Sequence, residues 1–407
     1  ITLSKDGDGF FTGVVTATSY AGDGSGLTGV AGTENIRTNT NATFLQNINV
    51  GVAITVGADS TINGVTVGKG ANSVATNTAV GNAALDAAVT GANNVAFGKN
   101  ALTENTSGHS NAAVGYQALE QNTTGYYNTG LGNQALDENT TGHRNTAVGS
   151  DALGASTTAN DNTALGFEAL TSNTTGDDNT ALGSNALHNN TTGAGNVAVG
   201  YLSLYSNSAE GNSAAQNVAV GRESLKALTD GLNNVGIGYL AGKSLTTGAQ
   251  NALVGYKAGE DLTTASNNAV LGAGALSNGT DAANNIAIGT NAMEQNVTSN
   301  DNVAIGFSAG TGIGRDGTDT DSGHKTVAIG SYAGAGGGAM SVFIGYYSGY
   351  TAGSTAPYYR KGSNNTGVGA NSLQLVTSGS SNTGLGYYAG YSTTTGDFNI
   401  SIGSEAY

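Results

Sequence analysis

Few side chains in this sequence are placed to do chemistry, and their placement is uneven. Ten of the eighteen tyrosines lie in the last seventy-six residues. They include Tyr346, Tyr347, Tyr350, Tyr358, Tyr359, Tyr387, Tyr388 and Tyr391, and Arg360 follows the pair at 358–359. Exposed phenol rings stack on sugar faces and their hydroxyls bond sugar hydroxyls, so this stretch is the candidate surface for a glycan or protein ligand. The competing reading has the same rings covering seams between chains or stacking in ladders. Asp316, Asp319 and Asp321 share a glycine-rich loop and have the oxygen donors that Ca²⁺ prefers. That loop lacks the spacing and the closing Glu of an EF-hand, so it reads as a solvated acidic loop. No metal or other cofactor is expected. The four histidines (His109, His143, His188 and His324) form no metal or triad pattern, and no paired carboxylates stand out, so an enzyme is not expected. His109 and His143 occupy one repeat position two units apart and should lie near one another.

The balance of residues narrows the class further. With 13 Lys and Arg against 28 Asp and Glu, the net charge is −15, which argues against a nucleic-acid partner. Cysteine is absent, so disulfides and thiolate metal sites are excluded. No apolar run is long enough for a membrane span. The chain opens at Ile1 without a signal-peptide pattern and reads as a processed or partial chain. Glycine is abundant at 66 residues and Trp is absent. Such a chain must bury small side chains in many thin layers, with neighbouring chains completing the burial.

What organises these residues is a repeat with the consensus NTAVGxxALxxNTTGxx, matched almost in full by residues 111–127. Its position-5 glycine falls every seventeen residues at Gly81, Gly98, Gly115, Gly132, Gly149, Gly166, Gly183 and Gly200. The period resumes from Gly221 to Gly306 and loosens through Gly330, Gly345, Gly369, Gly386 and Gly403. A fixed period of this size means one supersecondary unit stacked on itself. The expected fold is therefore all-β, a parallel β-solenoid or β-roll of 17-residue repeats. For the QALEQ-type segments helix is the competing reading, but they are too short to be stable helices, and a short extended or turn segment is expected.

Alternation within the NTAVG block predicts two faces. Positions 2 and 4 are expected to fill the coil interior, because position 4 is always apolar. Positions 1, 3 and 5 would then form a nearly bald Asn/Ala/Gly face, suited to close approach of another backbone. Position 1 is Asn in all units but two, the exceptions being Thr326 and Ser341. Stacked asparagines Asn77, Asn94, Asn111, Asn128, Asn145, Asn162, Asn179 and Asn196 are predicted to form an amide ladder that holds register. Asn and Gly of the NTTG segment are expected to close the circuit by tolerating positive φ.

Runs such as residues 128–142 (NTGLGNQALDENTTG) resemble repeats of bacteriophage tail-fibre and tail-associated proteins. They are similar to the left-handed parallel β-roll of trimeric autotransporter adhesin heads. Residues 13–29 (GVVTATSYAGDGSGLTG) resemble a module of marine-phage fibre proteins. The resemblance implies an elongated homotrimer on the virion tail, outside the cell, mediating attachment to a host glycan or protein receptor. Fibres of this kind often carry a cleaved C-terminal chaperone domain, and none is visible before Tyr407. No anchor or heptad stalk occurs in these residues, which favours the phage version over a bacterial surface adhesin or filament.

Two regions are expected. Residues 1–68 lack the period and read as an N-terminal β segment that caps the solenoid and attaches it to other tail or surface components. Within it residues 10–20 read as a strand, and residues 54–57 and 65–68 as narrow coils leading into the stack. Residues 69–407 form the repeat rod, with insertions near 206–216, 311–325 and 350–364. Trimerisation rests on the bald face and the resemblance. A polysaccharide depolymerase is a less favoured reading, since no carboxylate cluster can be nominated. Ice binding is disfavoured because position 2 alternates among Thr, Val and Ala.

Overall fold

The computed structural model describes residues 2–3, 9–10, 59–62, 65–87, 89–207, 215–313, 324–336, 338–351 and 362–407. The chain divides into two compact units, Ile1–Thr55 and Val56–Tyr407. In the first, strand β1 (Thr2–Leu3) pairs antiparallel with β2 (Gly9–Phe10). Most of residues 10–20, and all of 54–57, lie outside the described residues.

The second unit is the solenoid. Nineteen three-residue strands, β5 (Thr78–Val80) through β23 (Ile400–Ile402), each occupy positions 2–4 of one coil. They pair in parallel with the coil before and after, position to position, as in Thr163↔Thr180 and Leu165↔Leu182. Register survives the insertions, since Val197 still pairs with Val218 and Val303 with Val327. Extra residues between these strands therefore do not shift the ladder. The strand order is linear from β3 to β23, and no pairing joins those two, so the sheet is an open ribbon. At its start β3 (Ser60–Ile62) and β4 (Val65–Gly68) form an antiparallel hairpin that pairs onto β5. Residues 65–68 are thus a hairpin strand and not a narrow coil. Lys69 N and Gly70 N donate to the Asp59 carboxylate at 2.7 and 2.8 Å, tying the hairpin's start to the first coil.

The two faces of the strand are the reverse of the sequence expectation. Ala79, Ala96, Ala113 and Ala147 at position 3 are fully buried, as are Asn94 and Asn145 at position 1. No residue at position 2 or 4 is buried. The reason is volume. The narrow interior of a seventeen-residue coil is filled by Leu at position 9 (Leu85, Leu102, Leu119, Leu136), joined in some coils by a second buried apolar side chain such as Leu228 beside Leu225. In two coils where position 9 is glycine, a large residue at position 3 takes that space: Leu253 accompanies Gly259, and Phe343 accompanies Gly349. A Cβ on Gly349 would lie 2.2 Å from Phe343 Cδ1, so the two positions share one space.

The corners of the coil are made by left-handed residues. In the coil starting at Asn111, Gln117, Leu119 and Tyr127 have φ of 57°, 53° and 56°. Each costs about 1–2 kcal/mol for a residue bearing a Cβ. Bonding between coils offsets this cost. Gln117 N reaches back to Lys99 O at 3.0 Å, while Leu119 N reaches forward to Ala135 O at 3.0 Å. The QALEQ segments are turns, one of the two forms expected, and not short strands. Glycine at position 15 serves space and not φ, because a Cβ on Gly125 would lie 2.3 Å from Asn122 Oδ1.

Candidate functional site

Three surfaces carry the side chains of interest. The first is internal. The predicted ladder exists from Asn77 to Asn196, and it is built from backbone donors as much as from amides. Asn94 N donates to Asn77 Oδ1 at 2.9 Å, and Asn111 N, Asn128 N and Asn145 N repeat this at 3.0, 2.9 and 3.0 Å. Asn162 N, Asn179 N and Asn196 N continue it at 3.0, 2.9 and 2.9 Å. Each amide group also donates across its own coil, as Asn128 Nδ2 does to Gly142 O at 2.7 Å. Further on, Thr326 N donates to Asn302 Oδ1 at 2.9 Å, the Thr326 hydroxyl donates across its own coil to Gly338 O at 2.9 Å, and Ser341 Oγ takes the rung's place by accepting from Asn365 N at 3.2 Å. A second ladder, not foreseen, runs through position 12. Asn122 Nδ2 donates to Asn105 Oδ1 and Asn139 Nδ2 to Asn122 Oδ1, both at 2.8 Å. Asn at position 12 is therefore a buried rung and not a positive-φ turn residue. Ser156 breaks that ladder and leaves Asn139 Oδ1 and its own Oγ without a protein partner. These columns hold register.

The second surface is aromatic. Tyr346, Tyr347 and Tyr350 stand at positions 6, 7 and 10 of one coil, and Tyr387, Tyr388 and Tyr391 at the same positions two coils later. Tyr347 stacks on Tyr332 at 4.9 Å and meets Tyr346 and Tyr350 edge-on at 4.4 and 4.6 Å. Phe307 extends this cluster at 5.2 Å from Tyr332. Tyr388 contacts Tyr387 and Tyr391 at 4.5 and 4.9 Å. Ala370 and Asn371 fill positions 6 and 7 between the two groups and keep them apart. Burial, with the Tyr346 hydroxyl as a further cause, raises the Tyr347 phenol above its ordinary value, and burial beside Tyr387 does so for Tyr388. Both inner rings stay neutral at physiological pH. The outer rings remain open, Tyr346 being 55% and Tyr387 52% exposed. Tyr332 and Phe307 were missed, although their repeat positions, 7 and 6, would have found them. Tyr358, Tyr359 and Arg360 lie outside the described residues, as do Asp316, Asp319 and Asp321.

Position 6 is aromatic elsewhere too. Arg222 sits 5.8 Å from the rings of both Tyr201 and Tyr239, and Tyr239 stacks on Tyr256 at 5.6 Å. On another corner Tyr126 lies between His109 and His143, at 5.2 and 4.6 Å, so the two histidines share a stack through the ring between them. His188 contacts Glu168 at 3.2 Å and stacks on Tyr205. Asp137 is pushed up to about 6, first by burial and then by Glu138 beside it. Among the described residues no group of three His, Cys, Asp or Glu could hold a metal ion. None of their helices is long and apolar enough to cross a membrane.

The third surface is the outer sheet face. All nineteen position-4 residues are apolar, among them Phe97 (56% exposed), Leu131, Leu165, Ile237, Leu271 and Ile344. Position 2 adds Thr, Val, Ala or Ile in every coil and never a charge. The bald face thought to meet another chain is the coil interior, and the residues thought to fill the interior face outward. No family model, curated protein or solved structure matches this chain, so its reading rests on these surfaces.

Proposed function

We propose that the chain is a structural fibre subunit, homotrimeric and extracellular, that attaches a virion tail to a host-cell surface. The observation that supports it is the unbroken register of nineteen coils, which makes an extended stack with paired tyrosine clusters at positions 6, 7 and 10 near one end. Such a stack gains little from a single deep site. It gains from repetition, because several weak contacts on one rigid support raise avidity without a strong individual contact. Tyr346 and Tyr387 present half-open rings with hydroxyls, the chemistry that suits a sugar or a polar protein surface.

The test is binding of the labelled full chain to candidate host cells, compared with Tyr346→Ala/Tyr387→Ala. Retained far-UV circular dichroism with a severalfold loss of cell binding supports attachment through these rings. Undiminished binding by the variant removes the tyrosines from the reading. Release of oligosaccharides from purified surface polysaccharide would replace attachment by depolymerisation.

A further inference from the structure

The outer sheet face is at odds with how parallel sheets survive in water. Such sheets occur almost only with both faces covered. Here the inner face is covered by the coil itself, while on the outer face every residue at positions 2 and 4 is exposed or half-exposed. Nineteen coils at the ~4.8 Å strand spacing make a strip about 90 Å long, and two side-chain columns make it about 10 Å wide. That is on the order of 900 Å² per chain, beyond the few hundred Å² that an uncommitted surface usually exposes. A specific interface needs roughly 800 Å² per partner.

We propose that this face is where copies of this chain meet. The inference rests on the fibre reading and names the surface that joins its subunits. The occupant must offer an apolar strip of the same length and the same coil spacing. This chain offers one itself. Charge favours the same occupant. Each copy carries a net charge of −15, yet none of its Asp, Glu, Lys or Arg stands at position 2 or 4, so copies can approach through this face without burying like charges. The sheet edge supports it as well. The position-6 column beside the strip carries Tyr116, Phe167, Tyr201, Tyr239 and Tyr256, rings that suit the rim of such a contact.

The test uses the full chain in three forms. Val254→Asp/Ile288→Asp places two charges in the middle of the strip, at side chains that are not buried within the single chain. Thr247→Asp places a charge at position 14, where Asp230 and Asp281 already occur in other coils. Native mass is measured by light scattering across a dilution series, with circular dichroism to confirm that the coils persist. The expected result is an oligomer for the natural chain and for Thr247→Asp, with the dissociation midpoint of the double variant moved at least a hundredfold to higher concentration. A monomeric natural chain overturns the proposal, as does an undisturbed oligomer in the double variant. A monomer that floats with phospholipid vesicles would assign the face to lipid instead. A dimer supports the face and refutes the trimer, while loss of cell binding with the oligomer intact bears only on attachment.

Discussion

Replacing Asn145 by alanine tests whether the inner ladder holds the stack together. Asn145 Oδ1 accepts from Asn162 N at 3.0 Å, and Asn145 Nδ2 donates to Ala159 O at 2.7 Å. The alanine variant removes both partners. Asn128 Oδ1 keeps the Asn145 backbone donor, and Asn162 Nδ2 keeps Gly176 O, so two buried backbone groups are orphaned. At about 1–3 kcal/mol for each unsatisfied group, the coil should lose about 2–6 kcal/mol. Neighbouring coils share the damage but distant ones do not, because a solenoid's stability is a sum of local terms. The control is Asn160→Ala. Asn160 Oδ1 accepts from His143 N at 3.0 Å at a half-buried corner, where water can replace it, and the loss should stay near 1 kcal/mol or below. Amide hydrogen exchange reads the difference directly. Exchange at Asn162 and in the two adjoining coils should accelerate roughly thirty- to twenty-thousandfold in Asn145→Ala, at about 1.4 kcal/mol per tenfold. Exchange in the coil starting at Asn285 should not change. If Asn145→Ala is no more disruptive than Asn160→Ala, the ladder is decorative and the reasoning fails.

Three further outcomes follow from the same interior. Leu253→Ala should cost about 2–5 kcal/mol in denaturant unfolding, and adding Gly259→Leu should recover more than half, since the double variant restores the Ala219/Leu225 pattern. Additive losses would refute the shared-volume account. Ser156→Asn with Ala159→Gly should extend the second ladder and stabilise by about 1 kcal/mol. The single Ser156→Asn should do worse, because a Cβ on the position-15 glycine one coil back already falls 2.4 Å from the rung's Asn139 Oδ1. Asp137, pushed up to about 6, holds its proton in the folded chain while the unfolded chain has lost it. Stability should therefore fall as pH rises from about 4 to about 6 and level off above. The side chain is half open to solvent, so the loss should be about 1 kcal/mol, and Asp137→Asn should abolish that slope in unfolding experiments.

The period, the parallel register and the asparagine ladder were legible because stacking repeats every feature at one spacing. The direction of the strand faces was not. Alternation at positions 1 to 5 separates two faces but does not say which is inward, and the usual preference for apolar interiors chose positions 2 and 4. That preference fails in a coil whose interior Leu119 or Leu136 already fills. A partial signal was present, since Leu253 accompanies Gly259 and Phe343 accompanies Gly349, as a shared interior would require. The rungs at Asn105 and Asn122 were mistaken for turn residues because Asn suits both roles. At the tyrosines the repeat positions were readable and the contacts were not. Whether Tyr347 stacks on Tyr332 or reaches solvent depends on side-chain directions that spacing leaves open.

The arrangement of chains in the proposed fibre is the most direct test. Electron cryomicroscopy of the purified full chain, viewed down the axis, measures this. It should show three coil cross-sections around a shared centre, with positions 2 and 4 directed inward and the position-6 column, Tyr346 and Tyr387 included, at the solvent-open rim of the contacts. Isolated single coils, or copies joined through any other face, would contradict it.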